Sequence, residues 1–310
     1  MKYRYSSRFN KKISEVGFGA WQLGGMGTWG NMTKETAIDL VHSAIGSGVT
    51  FFDTAPGYAQ GNSELFLGEA LVDNRENVFV NTKIGHGPNG EYEFSVDGIK
   101  TSINRSLKRL KTNYLDSVIL HNPEQYILEG KSILFDELDK YKEKGIIRGY
   151  GVSIDSLEEL KLVLYNLDVD VIEIMFNIVH QEVKELFDEV QNKGILLIIK
   201  VPLDSGWLTG KYNEKSIFTG IRERWTEEDK IIRASIINKI KIIVEDEDLV
   251  LTALRFILSF DAVTTVIPGT KNILQLKNNC IASDDLLSSD VKSELEDLYQ
   301  DYIKTVKTPW

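Results

Sequence analysis

"FFDTAPGYAQGNSELFLGEAL", residues 51–71, is a short apolar run ended by an acid, a loop of small residues holding one tyrosine, and a segment of helical character. Read as strand, loop and helix, it is one β/α unit, and the same alternation recurs along nearly the whole chain. Short apolar or β-branched runs fall at 16–20, 49–53, 78–83, 116–121, 148–153, 171–177, 195–201 and 263–268, which predicts eight strands. Between them apolar residues recur three or four apart, as at Ala37, Leu40, Val41, Ala44 and Ile45, or at Ile99, Ile103, Leu107 and Leu110. That is the helical period. Ser156 with Glu159 forms a capping-box pattern, and Gly48, Gly145 and Gly194 sit where helices should stop.

Strands that are apolar on both faces, each followed by a crossover helix, imply a parallel sheet, and eight such units imply a closed (β/α)8 TIM barrel of the α/β class. An open doubly wound sheet is the alternative. No strand-to-helix turn carries its G-x-G-x-x-G fingerprint, since Gly17 and Gly19 are followed by Gln22 where the third glycine belongs. Two regions exceed the repeat. Residues 202–226 form a long loop after the seventh strand, expected as a lid or cofactor clamp, and Leu287, Val291, Leu295, Leu298 and Tyr302 predict an extra C-terminal helix packed on the barrel. No linker composition divides residues 1–310, so one domain is expected.

A net charge of -10 over 310 residues argues against nucleic acid or an anionic membrane surface as the main partner. The basic start, MKYRYSSRFN, lacks the apolar core of a signal peptide, and no apolar run of about 18 residues is long enough to span a bilayer. A cytoplasmic protein is expected. The lone cysteine, Cys280, rules out an internal disulfide and every cysteine-based metal cluster, and reads as a small buried hydrophobe.

In a (β/α)8 barrel the chemistry sits at the carboxyl ends of the strands. The second predicted strand ends in Asp53, the third in Lys83 and the fourth in His121, while Tyr58 lies in the loop after Asp53. Each alone has an ordinary reading: a turn-capping acid, a solvated lysine, a structural histidine. Together on neighbouring strands they form a functional set, because burying these groups without function carries desolvation costs of several kcal/mol. A phenol has a pKa near 10, so proton transfer near neutrality asks it to fall by about three, roughly 4 kcal/mol. A lysine ammonium about 4 Å away, at an effective dielectric near 20, supplies that much. Lys83 is therefore expected to pull Tyr58 toward the phenolate, Asp53 to hold Lys83, and His121 to hydrogen-bond a substrate carbonyl. This is acid–base equipment for a carbonyl, with no nucleophile and no metal ligand set.

The sequence resembles the aldo-keto reductase superfamily across essentially its whole length. The tetrad pattern stands as "FFDTAPGYAQGNSE", "VFVNTKI" and "LDSVILHNP", with spacings of 5, 25 and 38 residues between Asp53, Tyr58, Lys83 and His121. Supporting matches are "VGFGAWQLGG", "KGIIRGYGVS", "VPLDSGWLTGKY" and "VIPGTKNILQLKNN". The resemblance implies a reduced nicotinamide cofactor that delivers hydride to an aldehyde or ketone, or the reverse on an alcohol or aldose, with Tyr58 as proton donor. It places Trp21 and Asp53 near the nicotinamide and Ser153 and Glu173 at its carboxamide. Pro202, Leu203, Ser205, Gly206, Leu208 and Lys211 match the loop that crosses the pyrophosphate. Gly269, Lys271, Gln275 and Asn279 match the adenosine end, where pairing of Lys271 or Lys211 with a 2′-phosphate would favour NADP (NADPH) over NAD.

The chain also departs from the pattern it resembles. Ile154 stands where many members have Asn, Glu173 where most have Gln, and Lys200 where many stack an aromatic ring on the nicotinamide, with Trp207 nearby as a possible substitute. Gly269 and Gln275 replace basic residues found in some branches. Trp29, His86, Tyr126, Trp207, Trp225 and Trp310 are candidates for an aromatic substrate pocket, and His42 and His180 read as surface residues on helical segments. Two other readings remain at this stage. One is a redox-sensing, cofactor-binding subunit resembling the potassium-channel β family, against which His121 counts because those subunits carry Asn there. The other is a lyase forming a Schiff base on Lys83.

Overall fold

The computed structural model describes residues 1–25, 30–245 and 248–309. A hairpin of β1 (Tyr3–Ser6) and β2 (Lys11–Ser14) precedes the repeat. It was not expected from the basic opening residues, and it sends Ile13 into the barrel interior beside Phe51, Phe79 and Ile119.

The eight expected strands then appear in order. They are β3 (Phe18–Gly19), β4 (Phe51–Asp53), β5 (Phe79–Ile84), β6 (Ser117–His121), β7 (Tyr150–Ile154), β8 (Val171–Met175), β9 (Leu196–Lys200) and β10 (Thr265–Val266). Each pairs in parallel with its successor, and bridges from Val16 to Val266 and from Gly19 to Gly269 join the first strand to the last. The sheet is thus the (β/α)8 barrel.

The outer layer comprises α1 (Lys34–Gly46), α2 (Asn62–Ala70), α3 (Val96–Arg109), α4 (Gln125–Leu128), α5 (Leu134–Glu143), α6 (Leu157–Asn166), α7 (Phe187–Asn192), α8 (Glu227–Val244), α9 (Leu249–Leu258) and α10 (Ile273–Ile281), followed by the expected extra helix α11 (Ser289–Asp301). Ser156 caps α6 in a complete capping box with Glu159. Gly48, Gly145 and Gly194 adopt the left-handed backbone that ends a helix. Among the described residues no helix is long and apolar enough to cross a membrane.

The period of two along each strand is what positions the site. Phe51 and Asp53 share the inward face of β4; Phe79, Asn81 and Lys83 that of β5; Ile119 and His121 that of β6. Each inward row runs from apolar at the amino end to polar at the carboxyl end. The lower half is an apolar plug and the upper half a ring of hydrogen-bonding groups. Gly151 on β7 keeps the strands at normal spacing, since a Cβ there would meet the Val171 carbonyl oxygen at 1.7 Å.

Candidate active site

The four side chains singled out by sequence converge at the carboxyl rim. Lys83 is buried, and its Nζ donates to Asp53 Oδ1 at 2.5 Å and Oδ2 at 2.7 Å. Asn81, two residues back on the same face of β5, donates to Asp53 Oδ1 at 2.8 Å. The Lys83 ammonium lies 5.4 Å from the centroid of the Tyr58 ring. His121 meets that ring edge-on at 6.4 Å, and Trp21 faces it from the other side at 5.9 Å. His121 Nδ1 is buried and has no hydrogen-bond partner among the described residues.

The proton affinities differ from the sequence expectation. Tyr58 is pushed up, not down: burial of the hydroxyl raises it most, Lys83 lowers it, and Asp53 and Glu173 raise it again. The ring keeps an edge open to solvent, which softens the rise without reversing it. The single Lys–Tyr pairing considered from sequence omitted the second carboxylate. His121 is held down at about 3 by burial and then by the Lys83 charge, so it is a neutral imidazole across the working range. Burial and Glu173 raise Asp53 to about 7 against the pull of Lys83, while Lys83 and Lys200 hold Glu173 down at about 2 against its own burial.

Glu173 is therefore not a simple substitute for an amide. Its Oε2 lies 3.1 Å from Lys83 Nζ, and its Oε1 accepts from Ser153 Oγ at 2.9 Å, its cross-strand neighbour on β7. Lys200 in turn donates to Ser153 Oγ at 2.9 Å and pairs with Asp155 at 2.9 Å. A chain of alternating charge thus runs from the barrel interior to the rim. Trp207 does not fill the place of the missing aromatic: it is fully buried against Tyr212, Phe218 and Trp225.

The long loop after β9 carries a run of left-handed backbone at Asp204, Ser205 and Gly206, with φ of 45°, 52° and 101°. The Asp204 and Gly206 amides donate to the Val201 and Leu203 carbonyls at 3.2 and 2.8 Å, which holds the turn closed. Arg224 reaches back to Ser205 Oγ at 3.3 Å, Arg222 to the Tyr212 hydroxyl at 3.0 Å, and burial together with the Arg222 charge lowers the Lys271 pKa. Three cations thus gather beside the loop, which fits a polyanionic cofactor. Asp204 anchors the loop from inside, buried against Arg233 on α8.

Of the remaining expected contacts, Gly269 leaves room only for the Gln22 side chain, since a Cβ there would meet Gln22 Nε2 at 2.4 Å. Gln275 Oε1 accepts from the Lys271 amide at 2.9 Å, and Asn279 is buried against Thr270. Pro202 and Leu208 are buried, with the Leu208 amide donating to the Leu203 carbonyl at 3.2 Å, whereas Leu203 is half-buried and Lys211 exposed.

His86 lies 4.9 Å from His121, with Tyr92 and Phe94 beside it, and Tyr126 is exposed. Trp225 is buried with Trp207, so neither lines an open pocket. Trp29 and Trp310 lie outside the described residues. His42 is on α1 as read, but His180 is a correction: it is buried in a tight turn after β8, its Nε2 3.5 Å from Asp204. Clefts of about 570 and 600 Å³ elsewhere, one lined by Arg75 and Tyr114 at the amino end, the other by Tyr165 and Leu186, do not touch this rim.

Asn81, Asp155, Arg222 and Arg224 were missed by sequence reading. Asn81 carried a signal, the i−2 spacing from Lys83 that puts both on one strand face. Arg222 and Arg224 stood inside the expected clamp loop, but their convergence on Ser205 and Lys271 depends on how that loop folds back.

Comparison with known proteins agrees with the fold. The sequence model of the Aldo/keto reductase family matches residues 15–300, and the chain belongs to that family. It is 29% identical to the aldo-keto reductase YhdN of Bacillus subtilis (strain 168) over 71% of this chain and 67% of that protein. It is 28% identical to the NADH-specific methylglyoxal reductase of Escherichia coli (strain K12) over 71% of this chain and 74% of that one. Its fold superposes on the holo form of an aldo-keto reductase from Bacillus halodurans with a TM-score of 0.82, at 25% identity, covering 100% of this chain and 97% of the other.

Proposed function

We propose that this protein is an NAD(P)H-dependent oxidoreductase that reduces an aldehyde or ketone of a small molecule to the alcohol, or runs the reverse reaction on an alcohol or sugar. The observation that carries the reading is the placement of one buried ammonium, Lys83, between the Asp53 carboxylate and the Tyr58 ring, with neutral His121 facing the same ring. A bound reduced nicotinamide supplies the hydride. Tyr58 gives its phenolic proton to the carbonyl oxygen, and His121 donates a ring N–H to hold that oxygen over the phenol. Asp53 keeps Lys83 charged and oriented.

Trp21, Asp53, Ser153 and Glu173 would flank the nicotinamide, with Lys200 standing where other members stack a ring. The loop after β9, with the cations beside it, would cross the pyrophosphate. Arg222, Arg224 and Lys271 would take a 2′-phosphate, which supports NADPH ahead of NADH even though one relative is named for NADH specificity.

The test is Tyr58→Phe with a broad aldehyde such as a nitrobenzaldehyde and either reduced cofactor. Loss of the general acid lowers kcat about 10²- to 10⁴-fold with cofactor affinity retained. Undiminished turnover would remove Tyr58 from the reaction.

A further inference from the structure

Two carboxylates, not one, sit on Lys83. Asp53 takes the ammonium through both oxygens and Glu173 approaches it at 3.1 Å, all three side chains being no more than 3% exposed. Glu173 is faced by Lys83 from β5, Asp53 from β4, His121 from β6, Ser153 from β7 and Lys200 from β9. Lys83 and Lys200 keep it ionised, and the Ser153 hydroxyl fixes its orientation. When Asp53 is ionised, the inner cluster of Asp53, Lys83 and Glu173 carries one net negative charge beneath Tyr58. The groups acting on Tyr58 are Lys83, Asp53 and Glu173, with the neutral rings of His121 and Trp21 against it.

We infer that Glu173 is a positioning residue whose charge, set against Lys83, helps keep Tyr58 a phenol, so that carbonyl reduction persists to higher pH than it would with a neutral side chain at 173. This rests on the reading of Tyr58 as the proton donor. In that step the Tyr58 O–H bond breaks as the bond from hydrogen to the former carbonyl oxygen forms, and hydride supplied by the reduced nicotinamide completes the alcohol. Glu173 holds no proton to give, so the phenolate oxygen is reprotonated from solvent. A glutamine at 173 preserves the shape and the acceptor for Ser153 but removes the charge. Burial disfavours the phenolate most, the two carboxylates add to that against the pull of Lys83, and deleting one carboxylate charge removes part of it.

The experiment compares wild type, Glu173→Gln and Glu173→Asp, each carrying tyrosine labelled with ¹³C at Cζ, with Tyr58→Phe used to assign the Tyr58 resonance. Tyr58 in Glu173→Gln is expected to begin ionising about one to two pH units lower than in wild type. The alkaline fall of kcat/KM for carbonyl reduction should move down by the same amount. Glu173→Asp keeps the charge and should keep the wild-type profile. An unmoved Tyr58 resonance and pH limb in Glu173→Gln overturns the inference, as does an equal shift in Glu173→Asp, which would make the effect one of shape. Because the resonance titrates whether or not the protein turns over, failure of the reductase reading would show separately, as turnover surviving in Tyr58→Phe.

Discussion

Lys200 donates to the hydroxyl of Ser153 across 2.9 Å, joining β9 to β7 over the carboxyl end of β8. The contact links the rim to the interior, because the same hydroxyl donates to Glu173, which reaches Lys83. A lysine in a position where many family members have an aromatic ring is thus matched to a glutamate where most have an amide.

Replacing Lys200 with Met should therefore act beyond the rim. The variant loses a charge-assisted hydrogen bond and leaves Glu173 with one compensating cation instead of two, for about 1.5–3 kcal/mol of destabilisation. The midpoint of urea unfolding checks this, and a change below about 0.5 kcal/mol would mean that Lys200 is merely a surface ion pair with Asp155.

The cations beside the long loop make a second prediction. If Arg224 and Lys271 recognise a 2′-phosphate, Arg224→Ala and Lys271→Ala should each raise the Kd for NADPH by about tenfold or more, the loss expected for a charge-assisted contact. The Kd for NADH should change little. Fluorescence titration with both cofactors separates this from general damage to the loop, which would weaken both alike.

A third prediction concerns how the loop is held. Asp204 is fully buried with its charge against Arg233, while His180 stands 3.5 Å away. Asp204→Ala strands the buried guanidinium and should cost about 3–5 kcal/mol, read as a fall in thermal stability. The double variant Asp204→Ala with Arg233→Met should recover much of the loss, because the uncompensated charge is what hurts.

Much of this architecture was readable in advance, and the reason is periodic. All eight barrel strands were found because buried strands are apolar on both faces, and the helices between them repeat at three and four. The β1–β2 hairpin was missed because only Ile13 enters the interior and its neighbours are tyrosines and lysines at the surface. Asp53, Tyr58, Lys83 and His121 were legible because each follows an apolar run at a strand end or lies just beyond it. The proton affinity of Tyr58 was not legible. It depends first on burial of the hydroxyl and then on charges that include Glu173, a residue ninety positions after Lys83 that comes beside it only when the barrel closes. His180 was misread for a related reason, since its partner Asp204 belongs to a different loop.

The pH dependence of stability gives the last prediction, because His121 and Asp53 pull in opposite directions. Folded His121 stays neutral down to about 3, whereas an unfolded histidine has a pKa of about 6.5. Between those values the unfolded chain binds the extra proton. The stability from burying the neutral ring is full above about pH 6.5 and is lost as pH falls. Folded Asp53 has its pKa raised to about 7 against about 3.9 unfolded, so there the folded chain binds the extra proton, and stability falls as pH rises from about 4 to 7. Between pH 5 and 6.5 the two slopes oppose each other in the wild type. His121→Asn removes one of them. Whatever its absolute stability, the variant should gain on the wild type as pH falls across that window, by at most about 1.4 kcal/mol per pH unit. Asp53→Asn should lose on the wild type over the same range. Urea midpoints at three or four pH values between 5 and 7 decide it, and parallel curves for wild type and His121→Asn would show that the imidazole takes up its proton in the folded state as readily as in the unfolded chain.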